Sequence, residues 1–383
     1  MNGDDLGGQQ SLAGALRLKP GAPPPHGLQS TRQDWATRMG QGLPTARLPG
    51  LMASLFSLCG HAHRLCSQLA IGAAAPGLLP PPEALAERLR RETAMEHIRR
   101  IGLDWPRLLA PGDAGAAAQC TAALSTCPWP TQDSPDPWPA LRHWLHRALL
   151  HMPASDWLAA WQAGGSDWLD TWGQGHGHGL PLLVRGARRA DACDPLMPHT
   201  ALRPHADRTS LCMLGATLAL EPTFALRPQW RGACAHTGPW SRLGAQANDV
   251  PLTPWALLGT RLAELVRLAL DGGDACLDSG AVATGPGRGL AWVEMARGLL
   301  MHQVEVDAAS QRVLACHVVA PTEWNFHPRG EVAQRLARLD PGLPDAMVAR
   351  CVNLLVAAFD PCVPFTIGHR GATRPAPQEA SHA

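Results

Sequence analysis

Apolar residues in the first third of the chain recur at the spacing of α-helices. Between residues 48 and 75 they fall at Leu51, Leu55, Leu58, Ala62, Leu65 and Leu69. This spacing puts them on one helical face, so we predict a helix here that contains Cys59. A second helix is predicted over residues 83–101, because Pro82 is typical of a helix start and Gly102 of a helix stop.

The remaining periodic segments predict further helices and one hairpin. The helices are predicted over residues 139–152, 154–161, 254–270 and 344–358. Alternating apolar and polar residues over 299–306 and 312–319, joined by Asp307–Gln311, predict a β-hairpin. We therefore expect an α+β fold that is mostly helical.

Composition marks the segments that we expect to lie outside regular structure. Gly and Pro are frequent in residues 1–30, which we predict to be a flexible leader. Residues 111–139 are rich in Pro and Ala and predict a long loop, and residues 371–383 predict a flexible tail. The stretch between them, residues 31–370, is long enough for a single large domain.

Charge and hydropathy exclude several classes of function. Only 17% of the 383 residues are charged and the formal net charge is +1, so no broad field attracts nucleic acid or an anionic membrane. No run of eighteen apolar residues predicts a membrane helix, and no secretory signal is visible. We therefore expect a cytoplasmic protein whose eleven cysteines form no disulfide framework.

A Gly-rich loop is predicted at residues 173–179, and it carries His176 and His178. Two imidazoles in such a loop could bind a metal ion. No acid or thiol stands beside them, so the interpretation as a surface loop is favoured.

Two cysteines stand apart from the others by their neighbours. Cys59 is followed by Gly60, and Cys362 ends the run Phe359–Cys362 just after the last predicted helix, which Pro361 stops. Taken alone, each is more often a buried core residue than a metal ligand.

Four short blocks, in a fixed order, change that balance. They are Thr237–Arg242, Glu294–His302, Val318–Gly330 and Phe359–Cys362. Together with Cys59-Gly60 they resemble the large subunit of [NiFe] hydrogenases. That family has a Glu-Ala-Pro-Arg-Gly block, a Val-Pro-Thr-Thr-Trp-Asn block, a terminal Asp-Pro-Cys-x-x-Cys-x-x-His and an early Cys-Gly-x-Cys-x-x-x-His. The resemblance implies a reduced form of the large-subunit fold, in which Cys59 and Cys362 face one another in the interior.

The departures from this family concern the metal ligands. Cys59 and Cys362 match the two non-bridging nickel ligands, but Ala62 and Phe365 stand where the family has its two bridging cysteines. Two thiolates cannot hold the two-metal site, because each metal loses its shared ligands. The resemblance therefore implies no nickel and no hydrogen turnover, and we do not expect an enzyme.

The positions that contact the iron ligands in the family are retained. Arg297, Pro321 and Thr322 match the residues around the two cyanides, although Ala296 replaces a proline. A buried cyanide is a partly anionic acceptor, and an arginine offers it several donors in a fixed fork. Taken as a single residue, Arg297 could equally belong to an ordinary ion pair. Thr322 could likewise belong to a turn in the core.

A large subunit that has lost its bridging cysteines is similar to the HupK/HoxV group of hydrogenase maturation proteins. That resemblance implies a scaffold that receives an Fe(CN)2CO unit from the proteins that assemble it and passes it to the large-subunit precursor. Two alternatives stay open. One is a metal-free assembly chaperone that mimics the large subunit and binds maturation proteins. The other is a residual hydrogenase-like enzyme, which the missing thiolates argue against.

Overall fold

The structure is a computed structural model of the chain. It describes residues 13–82, 84–191, 201–221, 223–242, 253–307 and 311–368. The predicted tail, residues 371–383, lies outside the described residues, as do His369 and the first twelve residues of the predicted leader. The prediction of one domain over residues 31–370 stays a prediction.

Helices dominate the described part of the chain. In order, they are α1 (Trp35–Gly40), α2 (Leu48–Leu55), α3 (Gly60–Ala74), α4 (Leu85–Arg99), α5 (Trp105–Leu109), α6 (Ala114–Ser125), α7 (Trp138–Trp144), α8 (Ala154–Gln174), α9 (Gly179–Arg188), α10 (Arg208–Leu220), α11 (Pro239–Arg242), α12 (Pro254–Ala269), α13 (Pro321–Asn325), α14 (Glu331–Arg338) and α15 (Asp345–Phe359).

The strands among the described residues form two sheets. They are β1 (Leu16–Leu18), β2 (Leu28–Ser30), β3 (Ser279–Gly285), β4 (Arg288–Met295), β5 (Gly298–Asp307), β6 (Arg312–Val319) and β7 (Phe365–Ile367). The larger sheet is antiparallel in the order β3-β4-β5-β6, and it contains the predicted hairpin as β5 and β6. In the smaller sheet β1 lies between β2, which is antiparallel to it, and β7, which is parallel.

Helix α3 packs against the larger sheet and carries one side of the candidate site. It contacts β3, β4 and β5 along its length. The approach to β4 is close at Gly289, where an added Cβ would collide with the backbone of Ala70. Helix α12 is buried on every side and packs against α4, α8 and α15. Both α12 and α15 match their predicted ranges closely.

The predicted leader is wrong for residues 13–30. Leu16, Leu18 and Leu28 are at most 2% exposed, since β1 joins β2 and β7 and covers part of the core. A strand in a Gly- and Pro-rich segment is stabilised by its partners in the sheet rather than by its own composition.

The predicted loop at 111–139 is also wrong in part, because α6 lies within it. Asp113 caps this helix by accepting from the Ala116 backbone N–H, and Cys120 and Leu124 are buried. Gly102 does not stop the second predicted helix, which continues through a π-helical turn into α5. Gly102 is needed there for packing, because an added Cβ would collide with Leu124.

Two other boundaries differ from prediction. The first predicted helix is two helices, α2 and α3, separated by Phe56 and a 3-10 turn at Ser57–Cys59. Helix α8 runs thirteen residues past its predicted end at Trp161, with a break at Gly165. None of the described helices is both long and apolar enough to cross a bilayer.

Candidate functional site

The blocks that carry the family resemblance meet around Asn325. Its side-chain oxygen accepts from the Thr237 backbone N–H at 2.9 Å, and its side-chain N–H donates to the Thr237 carbonyl at 2.9 Å. The same amide lies 3.4 Å from the Phe359 carbonyl. The Thr237 hydroxyl in turn accepts from the Leu299 backbone N–H. These bonds join α13, the end of α15 and the start of β5 in one buried place.

Asp360 is the electrostatic centre of this region. It lies 2.5 Å from Arg100 Nε, 3.0 Å from Arg261 Nη1 and 3.5 Å from Arg297 Nε. Its backbone is left-handed, with φ of 51°, a conformation that costs a non-glycine residue about 1 kcal/mol or more. Burial opposes ionisation, yet the three arginines lower the pKa of Asp360 to about 2. The carboxylate is therefore ionised and holds the turn that leads to Cys362.

Arg297 is 2% exposed and lies between β4 and β5. Its Nη2 donates to Glu96 Oε2 at 2.8 Å. Burial opposes its charge, but Asp360 and Glu96 raise the pKa of Arg297, and Cys59 and Cys362 add to this. Among the described residues, its buried Nη1 has no hydrogen-bond partner. A charged donor is thus left available inside the protein.

Gly298 allows Arg297 to take this place. Its φ is +123°, and an added Cβ would collide with the Thr237 side chain and with the Gly238 N. Only glycine fits this conformation without strain. The Arg297-Gly298 pair of the family block is therefore explained by backbone geometry as well as by charge.

Cys59 lies at the start of α3 rather than inside a helix, which corrects the prediction. It ends the 3-10 turn and takes the N-cap position of α3. It is 5% exposed. Burial raises the pKa of the Cys59 thiol well above its usual value, whereas the charge of Arg297 lowers it and that of Cys362 raises it. Cys59 is therefore within electrostatic range of both.

Cys362 accepts two hydrogen bonds at its sulfur. The Thr322 hydroxyl donates at 3.1 Å and Arg32 Nη1 donates at 3.4 Å. The backbone N–H of Cys362 donates to the Thr322 hydroxyl at 3.2 Å. Arg32 is held by Glu323, with 2.5 Å between Arg32 Nε and Glu323 Oε1. As predicted, Cys362 follows the end of the last helix.

The helix that follows Cys59 is capped from outside by a carboxylate. Glu92 accepts from the backbone N–H groups of His61 and Ala62 at 2.8 and 2.9 Å. Burial raises the pKa of Glu92 to about 7, although these two hydrogen bonds lower it. Ala62 itself is fully buried, so a methyl group fills the position of the missing bridging thiolate.

Between α3 and β5, a chain of hydrogen bonds joins Ser67, His302 and His63. Ser67 Oγ donates to the His63 carbonyl at 2.7 Å and lies 3.0 Å from His302 Nδ1; His302 Nε2 lies 2.9 Å from His63 Nδ1. Since the hydroxyl has one proton, His302 Nδ1–H donates to it and His63 Nδ1–H donates to His302. Burial lowers the pKa of His302 to about 3 and that of His63 well below its usual value. Both rings are therefore neutral.

These buried imidazoles predict a loss of stability in acid. Burial also lowers the pKa of His97 to about 4. Below pH 6.5 the unfolded chain takes up protons on His63, His97 and His302 while the folded chain does not. The free energy of unfolding should therefore fall, by roughly 1.4 kcal/mol per pH unit for each ring, as the pH falls from about 6.5 to about 4. Urea denaturation at several pH values in this window measures the slope.

Glu92 provides the matched control for that experiment. Its folded pKa is raised to about 7, so it gains a proton in the folded state first and stabilises the protein as the pH falls below 7. Glu92→Gln removes this opposing contribution, and the loss of stability in acid should become steeper. A free energy of unfolding that does not change between about pH 6.5 and about pH 4 would contradict the assignment of three neutral buried imidazoles.

The structure brings four of the five predicted site residues into one region. Arg297, Cys59 and Cys362 interact electrostatically, and Thr322 contacts Cys362 directly. Pro321 is buried at the start of α13 and directly precedes Thr322. The described residues contain no group of three or more His, Cys, Asp or Glu side chains arranged to hold a metal ion. The assignment of ligands stays a prediction.

Three important partners were missed from the sequence. They are Arg32, Glu96 and Glu323. Glu96 and Asp360 compensate the charge of Arg297, while its Nε and Nη1 have no hydrogen-bond partner among the described residues. One signal was present, because Glu323 stands where the resembled family has a second threonine.

The two histidines of the Gly-rich loop lie beside a third. The ring of His151 is 5.2 Å from that of His176 and 4.8 Å from that of His178, measured between centroids. Helix α8 ends and α9 begins within the predicted loop, which leaves residues 175–178 between them.

Comparisons with known proteins agree on one family and one fold. No family model matches the sequence. HoxV of Cupriavidus necator, a hydrogenase expression/formation protein, is 41% identical over 371 residues, which cover 93% of this chain and 96% of HoxV. HupK of Bradyrhizobium diazoefficiens, also a hydrogenase expression/formation protein, is 32% identical over 88% of this chain and 90% of HupK.

The similarity extends to solved structures. A chain of a [NiFeSe] hydrogenase variant from Desulfovibrio vulgaris Hildenborough matches with a TM-score of 0.51, over 88% of this chain and 92% of that chain. At 14% sequence identity this similarity concerns the fold alone. It confirms the predicted α+β, mostly helical fold of the hydrogenase large-subunit type.

Proposed function

This chain belongs to the family of hydrogenase expression/formation proteins that includes HoxV and HupK, and from that premise we propose that it is a maturation scaffold. Its cargo is an Fe(CN)2CO unit. It receives this unit from the proteins that assemble it and transfers it to the [NiFe]-hydrogenase large-subunit precursor.

One observation carries the proposal. Arg297 is a fully buried cation whose Nη1 lacks a hydrogen-bond partner among the described residues, within electrostatic range of Cys59 and Cys362. A buried donor without a partner costs about 1–3 kcal/mol or more, so a ligand that accepts from it is stabilised. An iron-bound cyanide is such an acceptor, because it is small, linear and partly anionic.

The two thiols supply the chemistry that iron requires. Thiolates are soft ligands that suit low-spin iron, and iron binding deprotonates a coordinating thiol outright. Iron binding would therefore overcome the raised pKa of Cys59. The Thr322 hydroxyl donates to the Cys362 sulfur in this structure. Its contribution to the proposed site is therefore to hold that sulfur in place.

Nickel and hydrogen turnover have no part in this proposal. Ala62 and Phe365 replace the two bridging cysteines of the resembled family, and the described residues contain no group of three or more His, Cys, Asp or Glu side chains arranged to hold a metal ion. Transfer of the cargo requires ligands that dissociate from iron, and a site without bridging thiolates does not hold the unit against a second metal.

The alternative function is that of a metal-free assembly chaperone. One observation favours it, since Glu96 and Asp360 already compensate the charge of Arg297. A protein that only mimics the large subunit to bind maturation proteins would be stable with such a closed interior.

Infrared spectroscopy separates the two functions. We expect protein purified anaerobically, after production with the proteins that assemble the iron unit, to show CO and CN stretching bands. These bands lie where polypeptide does not absorb. Metal analysis of the same sample should find iron in proportion to band intensity and no stoichiometric nickel. Pure protein without bands would support the metal-free chaperone, and one nickel per chain with hydrogen turnover would support the hydrogenase-like alternative.

A further inference from the structure

A cavity of about 520 Å³ lies beside Arg32 and Thr322, the two side chains that donate to the Cys362 sulfur. Its walls include Arg32, Thr322 and Glu323, together with apolar side chains such as Leu28 and Phe326. Cys362 is not among the lining residues, but both side chains that donate to its sulfur are. Arg32 and Thr322 therefore separate the cavity from the sulfur.

The guanidinium of Arg32 contacts both Glu323 and Cys362, and its Nη1 also lies 3.4 Å from the Ala13 carbonyl. Its Nε is paired with Glu323 Oε1 at 2.5 Å, and its Nη1 donates to Cys362 Sγ at 3.4 Å. The side chains of Arg32 and Glu323 are 11% and 5% exposed. A planar guanidinium can make both contacts simultaneously, whereas the ammonium of a lysine is a single point charge.

Glu323 is the residue that determines where Arg32 points. It follows Thr322 on α13, so the carboxylate and the hydroxyl reach the same region from adjacent positions. Its Oε2 is buried and has no hydrogen-bond partner among the described residues. A buried carboxylate is costly without a cation, and Arg32 is the cation that pairs with it.

We propose that Arg32, held by Glu323, is a positioning residue for Cys362 and the positive group that an anionic ligand meets when it approaches this sulfur through the cavity. This inference rests on the proposed function, because the natural ligand would be the cyanide-bearing iron unit. It adds a residue from the segment after β2, which lies outside the blocks of the family resemblance.

The test uses variants that keep the pair neutral. Arg32→Gln alone leaves Glu323 buried without a cation, so we combine it with Glu323→Gln. The matched control is Arg38→Gln, which removes an exposed arginine of the same segment whose Nη1 donates to Gln33 instead of Cys362. Arg32→Lys in the otherwise natural chain tests whether the planar guanidinium is required for both contacts.

The first measurement is made on protein that carries the iron unit. Without Arg32 the Cys362 thiolate donates more electron density to iron, which increases back-donation into CO. The CO band of the double variant should therefore move to lower wavenumber. Loss of iron to a chelator should be about tenfold faster or more, because the cyanide-bearing unit no longer meets the positive charge of Arg32. Arg38→Gln should match the natural protein, and Arg32→Lys should lie between. Unchanged bands and an unchanged rate in the double variant would overturn the proposal.

The second measurement needs no iron. Cys362 is alkylated with iodoacetate and with iodoacetamide, and mass spectrometry of its peptide gives the ratio of the two rates. The thiolate fraction and the general accessibility of the sulfur affect both rates equally, so the ratio does not depend on them. The ratio reports the positive charge that the anionic reagent, iodoacetate, encounters near the sulfur. We expect it to fall several-fold in the double variant and to stay constant in Arg38→Gln.

The two measurements keep the failure of this inference separate from failure of the proposed function. The natural protein could show no CO and CN bands while the alkylation ratio still depends on Arg32. This result would refute the proposal that the protein carries the iron unit, and it would support the role of Arg32 at Cys362. A ratio that does not depend on Arg32 would refute this role, whether or not iron is bound.

Discussion

Replacing either Cys59 or Cys362 with alanine is expected to leave a folded protein that carries no Fe(CN)2CO. Cys362 accepts from Arg32 and Thr322, and Cys59 lies within electrostatic range of Arg297. With one thiolate removed, the unit loses half of its anchoring ligands. Infrared spectra and iron content of each variant, purified in the same way as the natural protein, measure the loss.

Two other cysteines of the chain serve as controls. Cys66 is fully buried on α3, the helix for which Cys59 is the N-cap, and its sulfur lies 3.9 Å from the Leu300 carbonyl. Cys127 lies after α6, in a different part of the molecule. Cys66→Ala and Cys127→Ala should both keep the CO and CN bands. If Cys59→Ala or Cys362→Ala keeps full bands, a single-thiolate carrier is the better description.

Asp360→Asn is expected to lower the free energy of unfolding by about 3–5 kcal/mol, the range found when one partner of a buried ion pair is removed. The carboxylate lies within 3.5 Å of Arg100, Arg261 and Arg297. An amide cannot compensate three buried cations. Asparagine tolerates the left-handed backbone at this position, so the change tests charge and not conformation. Urea denaturation at neutral pH measures the effect.

A partly exposed ion pair provides the comparison. Arg288 and Glu305 face each other across β4 and β5 at 2.9 Å, and their side chains are 31% and 32% exposed. Glu305→Gln should cost about 1 kcal/mol or less, because solvent screens such a pair. If Asp360→Asn costs no more than Glu305→Gln, then Asp360 does not hold the arginine cluster together.

Helices and the hairpin could be predicted where the local pattern is strong. Helix α12 was expected at residues 254–270 and α15 at 344–358, and both were found within a residue or two of these bounds. The hairpin of β5 and β6 followed from alternation around a polar turn. In each case, the residues that specify the element lie within the element itself.

Elements that depend on distant partners could not be predicted in this way. Strand β1 pairs with β7, and Leu16 is matched with Phe365 almost at the other end of the chain. Gly102 was expected to end a helix, but its lack of a side chain instead makes room for Leu124 of α6. Composition and periodicity describe neighbours in sequence, and these contacts join residues that are neighbours only in space.

The sequence by itself determined which side chains stand where the resembled family has its two bridging cysteines. Ala62 and Phe365 cannot ligate a metal in any fold, and the ordered blocks around Arg297, Thr322 and Cys362 predicted where the candidate site lies. Only the tertiary structure decided how that site is charged. It paired Arg297 with Glu96 and Asp360 and placed Arg32 against Cys362, across 330 residues. The physical reason is that ligand type is a property of a single side chain. Electrostatic compensation instead depends on distance and burial, which exist only once the chain has folded.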